Sequence, residues 1–304
     1  MIYIKAKRRI IYALCVTAVL LIGVFTGIYL WQGNNTIDVT EYVFCSDQVT
    51  EGMDQSKVVL ISDLHNKRFG KDNAKLFGVI KEQKPDVIFI TGDIIDGRRK
   101  GFKKTEEFVK GVIEIAPVYY VTGNHEFYLD DDERQRLFCM LEQNGIIALR
   151  DQSVEITLGT QSINLIGVDD PNEFYQRERE TVEKLAGDDA TVLLSKYIVP
   201  KILRLKKDDS FNLLLSHRPD FFDDYSRTGV DLVLSGHTHG GQIRARLVDM
   251  IWEAFSNKIS RYVGGVWSRN TTQMFVSRGI GNSLFPFRIN NNPEVVTVTF
   301  KAEK

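Results

Sequence analysis

The stretch Val230-Asp231-Leu232-Val233-Leu234-Ser235-Gly236-His237-Thr238-His239-Gly240-Gly241-Gln242 runs from an apolar, β-branched segment straight into a glycine-rich turn carrying two histidines. The apolar part reads as a short buried strand. Two imidazoles one residue apart can aim at one point only if backbone and rings approach closely, which glycines permit because they lack a Cβ. By itself, a His-x-His turn fits a polar surface loop as well as a functional one.

The other histidines decide between these. The chain has five, His65, His125, His217, His237 and His239, each within a few residues of an apolar run. Residues 57–62 lead into Asp63-Leu64-His65, residues 86–90 into Thr91-Gly92-Asp93-Ile94-Ile95-Asp96-Gly97, and residues 117–121 into Thr122-Gly123-Asn124-His125-Glu126. Helical spacing follows each, over residues 77–84, 105–115 and 133–144. Strand, polar turn and helix thus recur about every 30 residues, the pattern of an α/β domain with ligands at the carboxyl ends of its strands.

Beyond Gly145 the period changes to two. Residues 154–158 and 162–168 read as a hairpin about Gly159-Thr160, and residues 173–209 as helical and charged. Residues 211–217 restore the strand-then-ligand pattern at His217, and residues 274–277 and 294–300 form two last strands. Strands from both halves predict two packed sheets with helices outside.

Composition bounds the rest. A chain of 304 residues with 43% hydrophobic content can bury one large core or two small ones. Three cysteines, Cys15, Cys45 and Cys139, match neither metal nor disulfide spacing; a Cys45–Cys139 bridge is open, with free thiols the plainer reading. Lys5, Lys7, Arg8 and Arg9 precede residues 10–31, which carry no charge and at 1.5 Å per residue span the roughly 30 Å hydrocarbon core. Tyr29 and Trp31 fall at an interfacial belt, and the basic cluster predicts a cytoplasmic N-terminus with the rest of the chain outside. A cleavable signal peptide, a twin-arginine signal at Arg8-Arg9 and a buried core helix are the alternatives, but no Ala-x-Ala site follows the apolar run. Residues 32–56 read as a linker with one strand from 38 to 45, and residues 57–304 as the folded domain proper. Outside the anchor acidic residues outnumber basic ones, against a stable nucleic-acid partner.

Histidine nitrogen with carboxylate oxygen, and no cysteine, suits manganese, iron or zinc. Two such ions 3.5–4 Å apart clamp an in-line phosphoryl displacement, one supplying hydroxide at neutral pH.

The ordered series Asp-x-His, Gly-Asp, Gly-Asn-His-Glu, His and Gly-His-x-His resembles the calcineurin-like metallophosphoesterases, more narrowly their bacterial membrane-associated YkuE/YaeI-type branch, over residues 57–300. The resemblance implies a four-layer αββα sandwich with a dinuclear site at one sheet edge. It implies that Asp63, His65 and His239 hold one metal and Asn124, His217 and His237 the other, with Asp93 bridging. His125 matches the family's non-ligand histidine, which faces the scissile phosphate and either stabilises charge or protonates the leaving oxygen. Glu126 stands where many members have Asp and receives no role. Asp96, three residues after Asp93, is expected by its spacing to accept from His125 and keep it cationic. Arg278, in a loop resembling one near the family site, is expected to hold a phosphate oxygen.

Residues 245–270 contain apolar positions at partly amphipathic spacing with Arg244, Arg246, Lys258 and Arg261, which fits a core helix or an apolar flap at a membrane surface. The expected activity is metal-dependent hydrolysis of a phosphodiester or pyrophosphate in a lipid or envelope component. The alternatives are a broad phosphomonoesterase, a nucleotide phosphodiesterase, or a non-catalytic tethered metal-binding module, against which His125 counts.

Overall fold

A computed structural model describes residues 2–178, 188–244, 261–283 and 285–303. The chain opens with helix α1 (Ile2–Asn35) and passes within two residues into strand β1 (Asp38–Ser46). Strands β2 (Lys57–Ile61), β3 (Val87–Thr91) and β4 (Val118–Val121) follow, each leading through a turn to a helix: α2 (Ala74–Gln83), α3 (Phe102–Val112) and α4 (Asp131–Gln143). A short β5 (Ile147–Ala148) precedes the hairpin β6 (Gln152–Leu158) and β7 (Gln161–Gly167). Then come α5 (Asn172–Arg177), α6 (Asp188–Leu205), β8 (Asn212–Leu215), α7 (Phe222–Thr228) and β9 (Leu232–Ser235). Strands β10 (Gly265–Arg269), β11 (Thr272–Val276) and β12 (Glu294–Ala302) close the fold.

These strands make two mixed six-stranded sheets. The first has the order β1-β12-β2-β3-β4-β5 and the second β10-β11-β9-β8-β7-β6. Within them β2 to β5 run parallel, as do β7, β8, β9 and β11. Period-two alternation sorts each strand's side chains between two cores. Val58 and Leu60 join Phe44, Phe89, Leu213, Leu215, Leu232, Leu234, Phe275 and Phe300 between the sheets, whereas Val59 and Ile61 face Leu76, Ile80, Phe108 and Leu141 under α2 to α4. Leu214 and Val233 take the opposite face of the second sheet, against Ile198 and Ile202 of α6 and Phe222 and Tyr225 of α7. The result is a four-layer αββα sandwich, as the family resemblance implies, with the two packed sheets and outer helices that the strand pattern predicts.

Two boundaries differ from expectation. Residues 32–35 are the last turn of α1 rather than linker, and β1 pairs along its length with β12, so the folded domain starts at Asp38 rather than at residue 57. The reason is hydrogen bonding: residues 38–46 have a strand edge to join, and the long connection to β2 only turns back. Cys15, Cys45 and Cys139 are all free, so no Cys45–Cys139 bridge exists. The proposed flap at 245–270 lies outside the described residues except for its end, where residues 265–269 form β10.

Candidate metal centre

The turns that leave β2, β3, β4, β8 and β9 converge at one end of both sheets. Five of the residues singled out for metal, Asp63, His65, Asp93, His237 and His239, carry positive φ angles of 56°, 47°, 52°, 71° and 50°. Non-glycine residues rarely adopt this backbone, and clusters of such strain mark sites where side-chain aim outweighs local comfort. Close approach needs glycine as well. A Cβ on Gly236 would stand 1.8 Å from Ser62 Oγ, and one on Gly123 2.3 Å from Asp93 Oδ1.

The polar atoms sort into holders and free donors. Asp63 Oδ2 accepts from Ser62 Oγ at 2.6 Å and from the His237 amide at 3.0 Å, while its Oδ1 is buried with no hydrogen-bond partner among the described residues. That oxygen faces His239 Nε2 at 3.3 Å, which lies 3.0 Å from His65 Nε2. Asp93 Oδ1 accepts from the His125 amide at 2.8 Å; its Oδ2 looks both ways, 3.5 Å from His65 Nε2 and 3.4 Å from His217 Nε2. Beyond it, His217 Nε2 is 3.3 Å from Asn124 Oδ1 and 3.1 Å from His237 Nδ1. The ring of His217 is fixed from behind, its Nδ1 donating to the Thr91 carbonyl at 2.7 Å. Donor atoms therefore gather into two groups, Asp63, His65, Asp93 and His239, and Asp93, His217 and His237, sharing Asp93. Asn124 joins the second.

This set fits two divalent cations. A buried unpartnered carboxylate oxygen and lone pairs facing lone pairs cost free energy unless a cation sits among them. Nitrogen and oxygen donors without sulfur suit borderline-hard metals. The proton affinities agree: burial lowers the His65 pKa to about 4 and, reinforced by Arg218 for His237 and by His65 for His239, holds those two well below the imidazole range. They stay neutral, as ligands must. Burial would also lower His217, but the Asp93 carboxylate outweighs it and pushes this pKa up to about 10. Burial raises Asp63 to about 6.

His125 lines the same pocket, its ring edge-on to that of His65 at 4.4 Å. Asp96 Oδ1 is 3.5 Å from His125 Nδ1, which makes no hydrogen bond among the described residues. Burial lowers the His125 pKa, against the upward pull of Asp93 and Asp96. Asp96 Oδ1 also accepts from the Arg98 amide at 3.0 Å. The Arg278 guanidinium bonds Glu294 at 2.9 Å and lines a polar cavity of about 430 Å³ with Tyr29, Asp38 and Asn290.

Four supporting groups escape a reading by motif. Glu126 is wholly buried and accepts from the amides of Gly123 (2.6 Å), Asp93 (3.0 Å) and Ile94 (3.0 Å), tying the β3 and β4 turns together. Arg218, bonded to Asp170 at 2.8 Å, stands 3.2 Å from His237 Nε2. Arg288 is wholly buried 3.4 Å from His239 Nδ1. Arg98 lies over Tyr128, whose ring is 5.0 Å from that of His125, and so puts a cation at the pocket rim. Only Glu126 and Arg218, each next to a motif histidine, left a signal in the sequence.

Comparison with known proteins agrees with this geometry. The family model Calcineurin-like phosphoesterase matches residues 56–241. The chain is similar to the uncharacterized metallophosphoesterase YkoQ of Bacillus subtilis (28% identity, covering 88% of this chain and 93% of that one). It is likewise similar to the phosphodiesterase YaeI of Escherichia coli (28% identity, covering 79% of this chain and 80% of that one). Among solved structures, a dimetal phosphatase from Danio rerio shares the fold with a TM-score of 0.50 at 13% identity, over 81% of this chain and 99% of that one.

Proposed function

The chain belongs to the calcineurin-like phosphoesterase family, and from that premise we propose that it hydrolyses a phosphodiester or pyrophosphate bond in a lipid or cell-envelope component. It is a phosphoester hydrolase of the dimetal class. The observation that carries the reading is Asp93, whose one free carboxylate oxygen serves both donor groups. Asp63, His65, Asp93 and His239 would hold one divalent cation and Asp93, Asn124, His217 and His237 the other; manganese fits this mixed oxygen and nitrogen set, as do iron and zinc. Bound there, the pair supplies Lewis acidity toward phosphoryl oxygens and a nucleophile at neutral pH.

The chain's own groups do the rest. His125 stands in the pocket without donating a lone pair to either donor group, placed to steady charge on the leaving oxygen or to give it a proton. Arg98 over Tyr128 offers a cation and a flat apolar face to the substrate's outer part. Glu126 and Ser62 hold the carboxylates at fixed aim, so little reorganisation accompanies the reaction.

Helix α1 is long and apolar enough to cross a membrane over Arg8–Asn35, and no residue of its apolar window is buried by the rest of the chain. That supports a single-pass anchor, and the basic residues before it support a cytoplasmic N-terminus with the catalytic domain outside. Anchoring favours a substrate carried in or at the bilayer.

The test uses the detergent-solubilised full chain. Bis-p-nitrophenyl phosphate is expected to turn over with Mn²⁺, to stop with EDTA, and to exceed p-nitrophenyl phosphate as substrate. His125→Ala should lose about 10²–10⁴-fold while keeping its metals. Faster monoester than diester turnover would favour the phosphomonoesterase. A metal-loaded chain inert to both would favour the binding module.

A further inference from the structure

The connection from β11 to β12, residues 277–293, joins the metal centre to the end of the membrane helix. On its outer side Asn282 Nδ2 donates to Asn34 Oδ1 on the last turn of α1 at 2.8 Å, and Tyr29 Oη donates to Asn290 Oδ1 at 2.6 Å. On its inner side Gln242, in the His-Thr-His-Gly-Gly-Gln turn, donates to the Phe285 carbonyl at 3.0 Å, and Arg288 lies behind His239. Asn282 also bonds the Pro286 carbonyl at 2.8 Å. Asn282, Phe285, Pro286 and Asn290 are thus tied down, yet Phe285 and Phe287, on either side of Pro286, stand 54% and 46% exposed.

Two large aromatics presented to water from a tethered loop are unusual unless something apolar covers them. Their height identifies the cover. Tyr29 to Asn34 spans about 8 Å of helix at 1.5 Å per residue, and the loop is bonded to both ends of that span. Tyr29 and Trp31, 45% and 66% exposed, sit where aromatic side chains mark the membrane–water boundary. The connection between α1 and β1 has no slack either, because Thr36 N donates to the Gln32 carbonyl at 2.8 Å and β1 begins at Asp38. An anchor that continues this directly into the domain fixes which surface faces the bilayer.

We infer that Phe285 and Phe287 seat in the interface of the membrane that α1 crosses, holding the His239 side of the metal centre against the headgroup layer. The phosphoester that fits such a placement is one carried by a bilayer lipid, approached from the headgroup side. This rests on the anchor reading of α1 and narrows the proposed substrate to membrane-borne esters.

The experiment places single nitroxide labels on the full chain, with Cys15, Cys45 and Cys139 changed to serine, in phosphatidylcholine–phosphatidylglycerol vesicles. Labels go on Phe285→Cys, Phe287→Cys, Val24→Cys in the anchor, and Ile147→Cys on the opposite edge of the first sheet. Collisions with oxygen, which concentrates in lipid, are compared with collisions with a water-soluble nickel chelate. The Phe285 and Phe287 labels are expected to favour oxygen, at a depth of about 5–10 Å below the surface, while the Ile147 label favours the chelate. An immersed Val24 label with chelate-exposed labels at 285 and 287 would overturn this inference and leave the anchor standing. A chelate-exposed Val24 label would overturn the anchor reading itself. Labels at 285 and 287 shielded from both reagents would assign the loop to a protein contact and also overturn the inference.

Discussion

The two sheets bring unlike chemistry to the same pocket. The first contributes oxygen: Asp63, Asp93 and Asn124, with His65, on turns held by Ser62 and the buried Glu126. The second contributes only imidazoles, His217, His237 and His239, and cationic arginines stand behind two of them, Arg218 at His237 and Arg288 at His239. Negative ligands thus face neutral ones backed by positive charge. Neither edge completes a site, since each donor group draws from both sheets. A cation bound there fastens sheet to sheet, and loading links the packing of the sandwich to its activity.

Substitutions on the two edges should differ accordingly. The largest loss belongs to the first sheet, where Asp93→Asn removes the shared oxygen; diester turnover should drop by at least about 10³-fold, measured at saturating Mn²⁺. Glu126→Gln comes next, because an amide NH₂ would point at backbone N–H groups that the carboxylate now receives. Metal affinity should weaken about 10–100-fold, read from the Mn²⁺ dependence of turnover. Its counterpart on the second sheet, Arg218→Leu, meets one of the donor histidines, His237, besides its partner Asp170, and should weaken affinity less. Equal effects would mean that the edges are not organised differently. Asp96→Asn should change turnover only a few-fold and leave the acid limb of the pH–rate profile in place, because burial outweighs that carboxylate at His125.

The smallest effect lies on stability. Burial pushes Asp169 up to about 6, against the pull of Arg150. A carboxyl whose folded pKa exceeds its unfolded value binds more protons when folded. Stability is therefore greatest below the unfolded pKa and declines as pH rises toward about 6. Asp169→Asn, keeping the Thr122 contact, should flatten the dependence of melting temperature on pH between about 4 and 6, a change on the order of 1–3 kcal/mol. An unchanged slope would remove Asp169 as its source.

The αββα arrangement was legible because each strand's alternation and each strand-exit motif are local: Asp63-Leu64-His65 and Gly123-Asn124-His125 announce their turns within a few residues. The pooling of seven residues into two donor groups was legible only through the family resemblance that their motifs carry. What escaped were pairings set by distant contacts. Glu294 takes the Arg278 guanidinium because β12 lies beside the loop in space, and Arg288 is buried by carbonyls of Arg278 and Gly281 that no pattern announces. β5 and β10 escaped because two residues, or a strand inside an apolar-rich stretch, give no clear period.

The most direct test is elemental analysis of the purified full chain alongside two variants, one from each sheet. The account predicts two divalent cations per wild-type chain, one in His237→Ala, and essentially none in Asp93→Asn. Full occupancy in Asp93→Asn, or an active wild-type chain holding fewer than two, would contradict it.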